Sequence, residues 1–269
     1  DYPIIFGNDE IGSADVSVSV SKLAGPHVDA IKVGLTTSAL EKEFGVITRI
    51  KGETGKVIIA DFKVADIGFK KNDEWQGTNS KIVSAAVKAG ADYITCHTFP
   101  ATSSILECVD TAHALGARVL TLPYMTGNGA ELFFGQPINK QYSEKILRQL
   151  KIDADLTKCK RMSDMILVIG EYVGVDGFIG PANNPAILRR YREFTQKPIY
   201  GPGVGRQNKT GQTAEQQLEE FYKICGSNSG VIIASAIYDP NKPYDNQNPS
   251  ESANEFKRYR DNVVLSLTA

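Results

Sequence analysis

Short runs of β-branched and aliphatic residues recur along the whole chain, each followed by a longer stretch. They are Pro3–Phe6, Ala30–Val33, Val57–Asp61, Tyr93–His97, Arg118–Leu122, Gly177–Ile179, Ile199–Tyr200 and Val231–Ala234. Such alternation builds βα units, whose strands lie parallel because each crossover returns the chain over a helix. Several runs, Val57-Ile58-Ile59-Ala60 among them, are apolar without alternation, as strands covered on both faces must be. Eight such strands can close on themselves and leave no edge. The pattern therefore predicts an α/β fold, a (β/α)8 TIM barrel. A length of 269 residues suits one barrel, and no linker-like stretch divides it, so a single domain over residues 1–269 is expected.

Punctuation between the runs supports helices. Ser80–Ala89 and Ser103–Leu115 are followed by Gly90 and Gly116, which suit a helix C-terminal stop. Pro185–Thr195 opens on proline, whose missing N–H costs nothing there. Thr213 can cap a helix through Ile224 with Glu215 in its first turn, and Ser250–Val264 reads as the last helix. Residues 68–78, 123–140 and 202–212 are too long for tight connections; residues 238–248 read as surface loop. Two of the three long stretches follow strands with polar residues at their C-terminal ends, where barrel active sites are built.

Thirty basic against 31 acidic side chains leave a formal charge of −1, so nothing points to nucleic acid, and an anionic ligand needs a local grip. Cys96, Cys108, Cys159 and Cys225 form no CxxC pair and no zinc spacing; no metal site is expected, and reduced buried thiols of a cytoplasmic protein are. No run of 18 apolar residues suggests a membrane span, and Asp1-Tyr2-Pro3-Ile4 does not read as a signal peptide.

Chemistry concentrates in Ile58-Ile59-Ala60-Asp61-Phe62-Lys63-Val64-Ala65-Asp66-Ile67. An apolar strand delivers Asp61 and Lys63 two residues apart at its C-terminal end, hence to the same side, and Asp66 opens the following loop. A functional cluster and a solvated pair ending a strand are both compatible with that spacing. Lys32 lies inside the preceding run, where an ammonium needs a carboxylate partner, and Asp61 on the neighbouring strand is the natural one. The alternative, Lys32 snorkelling to water from an edge, fits a closed barrel less well.

Asp61-Phe62-Lys63-Val64-Ala65-Asp66-Ile67 resembles the DxKxxD signature of the orotidine 5′-phosphate decarboxylase suprafamily, in particular its archaeal branch. The likeness extends to Lys32-Val33-Gly34, to Lys88-Ala89-Gly90-Ala91-Asp92 with His97, to Met125-Thr126, and to Pro202-Gly203-Val204-Gly205 with Gln207. The suprafamily's sugar-phosphate enzymes place a magnesium-binding glutamate where this chain has Lys32, which favours the metal-free decarboxylase branch.

The resemblance implies a Lys32–Asp61–Lys63–Asp66 array, no cofactor, a small-molecule nucleotide substrate and a homodimer in which Asp66 reaches into the partner's site. It assigns Asp9 to a ribose hydroxyl, Thr126 to the pyrimidine, Thr78 to the partner's ribose and Gln207 to the phosphate and a closing loop. Ile67, Pro202, Gly203, Gly205 and Ala234 fall among its substrate-contacting positions. Two departures stand out. Ser235 occupies the place of an arginine that grips phosphate in the family, leaving backbone N–H groups and Arg206 as substitutes. Residues 68–76 are an insertion. Three readings stay open: an orotidine 5′-phosphate decarboxylase with a rebuilt phosphate grip, a decarboxylase of another or unphosphorylated pyrimidine, and a catalytically silent nucleotide-binding barrel. Retention of all four charged residues favours the first.

Overall fold

A computed structural model of the chain describes residues 2–205, 211–241 and 248–268. Its eight parallel barrel strands are β1 Ile4–Asn8, β2 Ala30–Gly34, β3 Val57–Val64, β4 Tyr93–Cys96, β5 Arg118–Thr121, β6 Gly177–Ile179, β7 Ile199–Pro202 and β8 Gly230–Ile233. Each pairs with its neighbours in sequence, and β1 closes the ring against β8. The helices alternate with them: α1 Ala14–Ala24, α2 Gly45–Thr54, α3 Thr78–Ala89, α4 Thr102–Ala114, α5 Met162–Val173, α6 Pro185–Arg192, α7 Ala214–Cys225 and α8 Pro249–Thr268. This is the expected (β/α)8 barrel.

Alternation along the strands divides the core. Ile5, Ala30, Ile59, Leu120 and Ile232 fill the barrel interior, while Ile4, Phe6, Ile31, Val33, Ile58 and Ala60 pack outward against helices. Lys32 shares the parity of Ala30, and Asp61 that of Ile59; both therefore face inward near the C-terminal mouth. The start of α7 is held by a capping box between Thr213 and Gln216. Gly90, at φ 111°, closes α3 in a conformation that only glycine adopts without strain.

The structure differs from the sequence expectation in four places. β3 runs to Val64 rather than ending at Asp61, because the ladder to β4 resumes beyond an irregularity. Residues 68–78 carry an antiparallel ribbon, Lys70–Lys71 with Glu74–Trp75, turned by Asn72 and Asp73 at positive φ. The ribbon is tied to α4. The buried Glu107 carboxylate accepts the Phe69 N–H (3.1 Å) and the Ser80 N–H (3.0 Å), and Trp75 Nε1 donates to Asp110 (2.7 Å). Residues 123–161 contain the helices Glu131–Phe134 and Lys140–Gln149, the latter packed over a small core of Leu147, Ile152, Leu156, Cys159 and Met165. Tyr238, read from sequence as the start of a surface loop, is buried.

Candidate active site

β2 and β3 pair with Lys32 opposite Ile59 and Gly34 opposite Asp61, so the Asp61 carboxylate lies one inward layer nearer the mouth than the Lys32 backbone. The Lys32 stem spans that layer and places Nζ 3.0 Å from Asp61 Oδ2 and 3.5 Å from Asp9 Oδ1. Lys32 is only 8% exposed, and an ammonium there would be untenable alone. Burial opposes its charge, but Asp61 and then Asp9 outweigh burial and raise its pKa above the ordinary lysine value. Burial likewise works against the Asp61 carboxylate, yet Lys32 and Lys63 together hold it well below the usual carboxylate range.

Lys63 arrives by an irregular route. β3 pairs Ala60 with Ile94 and then Val64 with Cys96, so three residues of β3 face the single residue Thr95 of β4. Lys63 absorbs the excess at φ 49°, in the left-handed region. Its Nζ lies 2.8 Å from Asp61 Oδ2, the oxygen that Lys32 also approaches. The other oxygen, Oδ1, accepts the Thr95 hydroxyl at 2.8 Å. His97 is nearby and buried; burial first and the Lys63 charge second lower its basicity, and its Nδ1 has no hydrogen-bond partner among the described residues.

Asp66 does not join this cluster within one chain. Its carboxylate is exposed, accepts the Ile67 N–H (2.8 Å) and pairs with the Thr78 side chain, which lowers its pKa. Its backbone is clamped: the buried Asn79 side chain accepts the Asp66 N–H (3.0 Å) and, with Ser104, donates to the Asp66 carbonyl. Ile67 is 71% exposed beside it. Thr78 is the first residue of α3, and Thr126 is exposed in the segment after β5. Asn8 and Asp9 are separated by burial. Asn8 spends its amide on Ser17 and Ser21 of α1, whereas Asp9 remains half-exposed at the mouth.

Across the mouth, β7 ends in Pro202 and continues into Gly203 (φ 111°) and Gly205 (φ 87°). A Cβ at Gly205 would lie 3.0 Å from Ala236 Cβ, which brings this loop against the turn Ala234-Ser235-Ala236 after β8. The Gly205 N–H donates to the buried Gln217 (3.0 Å), and the Ala234 carbonyl accepts the Ile237 and Tyr238 N–H groups. The Tyr238 hydroxyl donates to the buried Glu10 carboxylate (2.6 Å), tying this turn to the segment after β1. Arg206 and Gln207 lie outside the described residues. Among the described residues, no group of three or more His, Cys, Asp or Glu side chains is arranged to hold a metal ion, and no helix is long and apolar enough to cross a membrane.

Sequence reasoning passed over Thr95, Glu10 and Glu107. Thr95 is the one aliphatic hydroxyl in Tyr93-Ile94-Thr95-Cys96, but threonine is so common in strands that it raises no signal until Asp61 is placed beside it. The arrangement as a whole presents a fixed ammonium at the mouth, on a carboxylate that accepts from Lys32, Lys63 and Thr95 and is held in its charged form at neutral pH. Such a group can stabilise a developing anion and deliver a proton to it.

A family model described as orotidine 5′-phosphate decarboxylase / HUMPS family matches residues 13–246. The chain is 32% identical over 231 residues to the orotidine 5′-phosphate decarboxylase of Methanocaldococcus jannaschii, covering 86% of each. It is 30% identical over 220 residues to that of Methanosphaera stadtmanae, covering 81% of each. The crystal structure of the M. jannaschii enzyme complexed with the inhibitor BMP superposes with a TM-score of 0.73 at 26% identity, over 97% of this chain and 99% of that one.

Proposed function

Because the chain belongs to the orotidine 5′-phosphate decarboxylase / HUMPS family, we propose that it is a carboxy-lyase converting orotidine 5′-phosphate to uridine 5′-phosphate, a step of pyrimidine synthesis. The observation that carries this reading is the sharing of Asp61 Oδ2 by two ammonium groups, at 3.0 Å from Lys32 and 2.8 Å from Lys63. Breaking the bond between ring carbon 6 and its carboxylate releases carbon dioxide and leaves an electron pair on that carbon, with no carbonyl placed to delocalise it. The Lys63 ammonium stabilises this charge as it develops, then transfers a proton to carbon 6 and is reprotonated from solvent. Asp61 lies beside the departing carboxylate and keeps both lysines charged. Lys32 puts a cation where the sugar-phosphate branch has its metal-binding glutamate, so a strong chelator leaves turnover unchanged.

The remaining positions divide the substrate between them. Asp9 takes a ribose hydroxyl, Thr126 the pyrimidine, and Pro202, Gly203, Gly205, Ala234 and Ser235 line the phosphate end together with Arg206 and Gln207. The protein works as a homodimer, with Asp66, Ile67 and Thr78 completing the partner's site. The exposure of Asp66 and Ile67 on a clamped backbone supports this. Four buried, unpaired cysteines support a reducing cytoplasm.

Ser235 favours one competing reading, a pyrimidine substrate without phosphate. Following the loss of orotate-ring absorbance with orotidine 5′-phosphate and then with orotidine separates the two. Turnover of the phosphorylated substrate alone is the expected result; turnover of orotidine alone overturns it, and turnover of neither leaves a silent barrel.

A further inference from the structure

We infer that Thr95 is a positioning residue for the decarboxylation: its hydroxyl closes the break in the β3–β4 ladder and fixes both the Lys63 backbone and the Asp61 carboxylate. The inference rests on the reading of Lys63 and Asp61 as catalytic.

The argument begins with the ladder. Between the pairs Ala60–Ile94 and Val64–Cys96, β3 has two residues more than β4. A break of this kind leaves backbone groups without ladder partners, in a barrel wall where an unsatisfied N–H costs stability. At Lys63 the missing acceptor is supplied by a side chain, the Thr95 hydroxyl oxygen, at 2.9 Å from the Lys63 nitrogen. Accepting that N–H orients the hydroxyl, whose own proton is directed at Asp61 Oδ1, 2.8 Å away. Thr95 is fully buried, so water does not compete for either bond. One hydroxyl therefore links the residue that carries the left-handed φ to the carboxylate that orders both lysines.

Division of labour on Asp61 follows from this. Oδ1 is engaged by Thr95, which leaves Oδ2 to face Lys32 and Lys63. Without the hydroxyl, nothing reserves Oδ1, so the carboxylate can turn on its two lysine contacts, and the Lys63 backbone loses the contact that holds its unusual conformation. Both changes displace the ammonium from the reacting carbon, and small displacements of a catalytic group are expensive in rate.

Thr95→Val keeps the branched shape and removes the hydroxyl; Thr95→Ser keeps the hydroxyl and removes a methyl group. Steady-state kinetics with orotidine 5′-phosphate, thermal melting and backbone amide exchange at Lys63 should be measured on both variants and the parent. The expected result is a fall in kcat of roughly ten- to a hundredfold in Thr95→Val, with KM changed by much less. Faster exchange at the Lys63 amide should accompany it, and Thr95→Ser should recover most of the parent kcat. If Thr95→Val is folded and turns over like the parent, or if Thr95→Ser and Thr95→Val lose activity equally in step with their melting temperatures, Thr95 is a packing residue and the inference is wrong. Inactivity of the parent towards orotidine 5′-phosphate instead removes the functional reading itself, and the amide exchange still reports whether Thr95 holds Lys63.

Discussion

The Lys63 ammonium lies 2.8 Å from Asp61 although Lys63 sits within a break in the ladder of its strand, at φ 49°. A regular strand would have delivered the two side chains to one face by parity alone. Here the same outcome is reached through an extra pair of residues and a left-handed backbone, a conformation that costs a non-glycine residue of order 1 kcal/mol. The cost is incurred at the residue proposed to meet the reacting carbon, and the surrounding contacts of Thr95 and Asp61 offset it.

Replacement of that side chain is the most direct test. Lys63→Ala should lower kcat/KM by at least about 10³-fold, since it removes an electrostatic stabiliser and a proton donor together. The fold should survive, because the lysine side chain is 38% exposed and Asp61 retains Lys32 and Thr95. A loss of about 1 kcal/mol is expected, or a Tm lower by about 2–4 °C for a chain of this size. Turnover close to the parent in a folded variant removes the proposed mechanism.

Asp61 links the site to stability. Its pKa in the folded protein is depressed, so its contribution is complete above the unfolded value near 3.9 and is lost as pH falls through the lower folded value. Asp61→Asn leaves Lys32 buried with Asp9 as its remaining carboxylate, which should destabilise the protein by about 3 kcal/mol at neutral pH. Denaturant melts of parent and variant between pH 7 and pH 2 should show a gap that is constant down to about pH 4 and narrows below it. A gap that widens on acidification contradicts the depressed carboxylate.

How far this site could be read in advance differs from strand to strand. The barrel was legible because short β-branched and aliphatic runs alternate with longer helical stretches eight times, and the Lys32–Asp61 pair followed from burying a lysine in one of two adjacent strands. The bulge after Ala60 was not, because nothing in Asp61-Phe62-Lys63 distinguishes a regular strand from a broken one; the partner that closes the gap, Thr95, lies 32 residues from Lys63. Residues 68–78 looked like an open loop for a similar reason. Their order depends on the buried Glu107 of α4, whose carboxylate would lie 2.6 Å from a Cβ at Gly77. Long-range polar contacts leave no periodicity, and periodicity was the signal available.

Asp66 provides a test of the proposed dimer. Lys63→Ala and Asp66→Ala should each be inactive alone, because every site lacks one of the two residues. After mixing under conditions that let subunits exchange, a hybrid contains one site with both residues intact, and a measurable share of the parent activity should return. Verified exchange without recovered activity places Asp66 in its own chain's site and excludes the shared arrangement.

The phosphate end yields the last prediction. A family arginine is replaced by Ser235, and the loop facing it, Gly203 to Gly205, supplies backbone N–H groups, of which the one at Gly205 is already bound to Gln217. A phosphate dianion so placed calls for a cation, and Arg206 follows Gly205 directly in the chain. A charge-assisted contact of this kind contributes roughly 1.5–3 kcal/mol, or about one to two decades in affinity. Arg206→Ala should therefore raise KM for orotidine 5′-phosphate by about that factor and leave any turnover of orotidine unchanged. Equal effects on both substrates, or none on either, leave the backbone groups as the main phosphate ligands. Ser235→Arg is the reciprocal change. It should tighten binding of the phosphorylated substrate strongly in the Arg206→Ala background and little in the parent, because a single dianion has limited use for a second guanidinium when the first is in place. Additive gains in both backgrounds would show that the two positions act independently and that Arg206 does not replace the missing arginine.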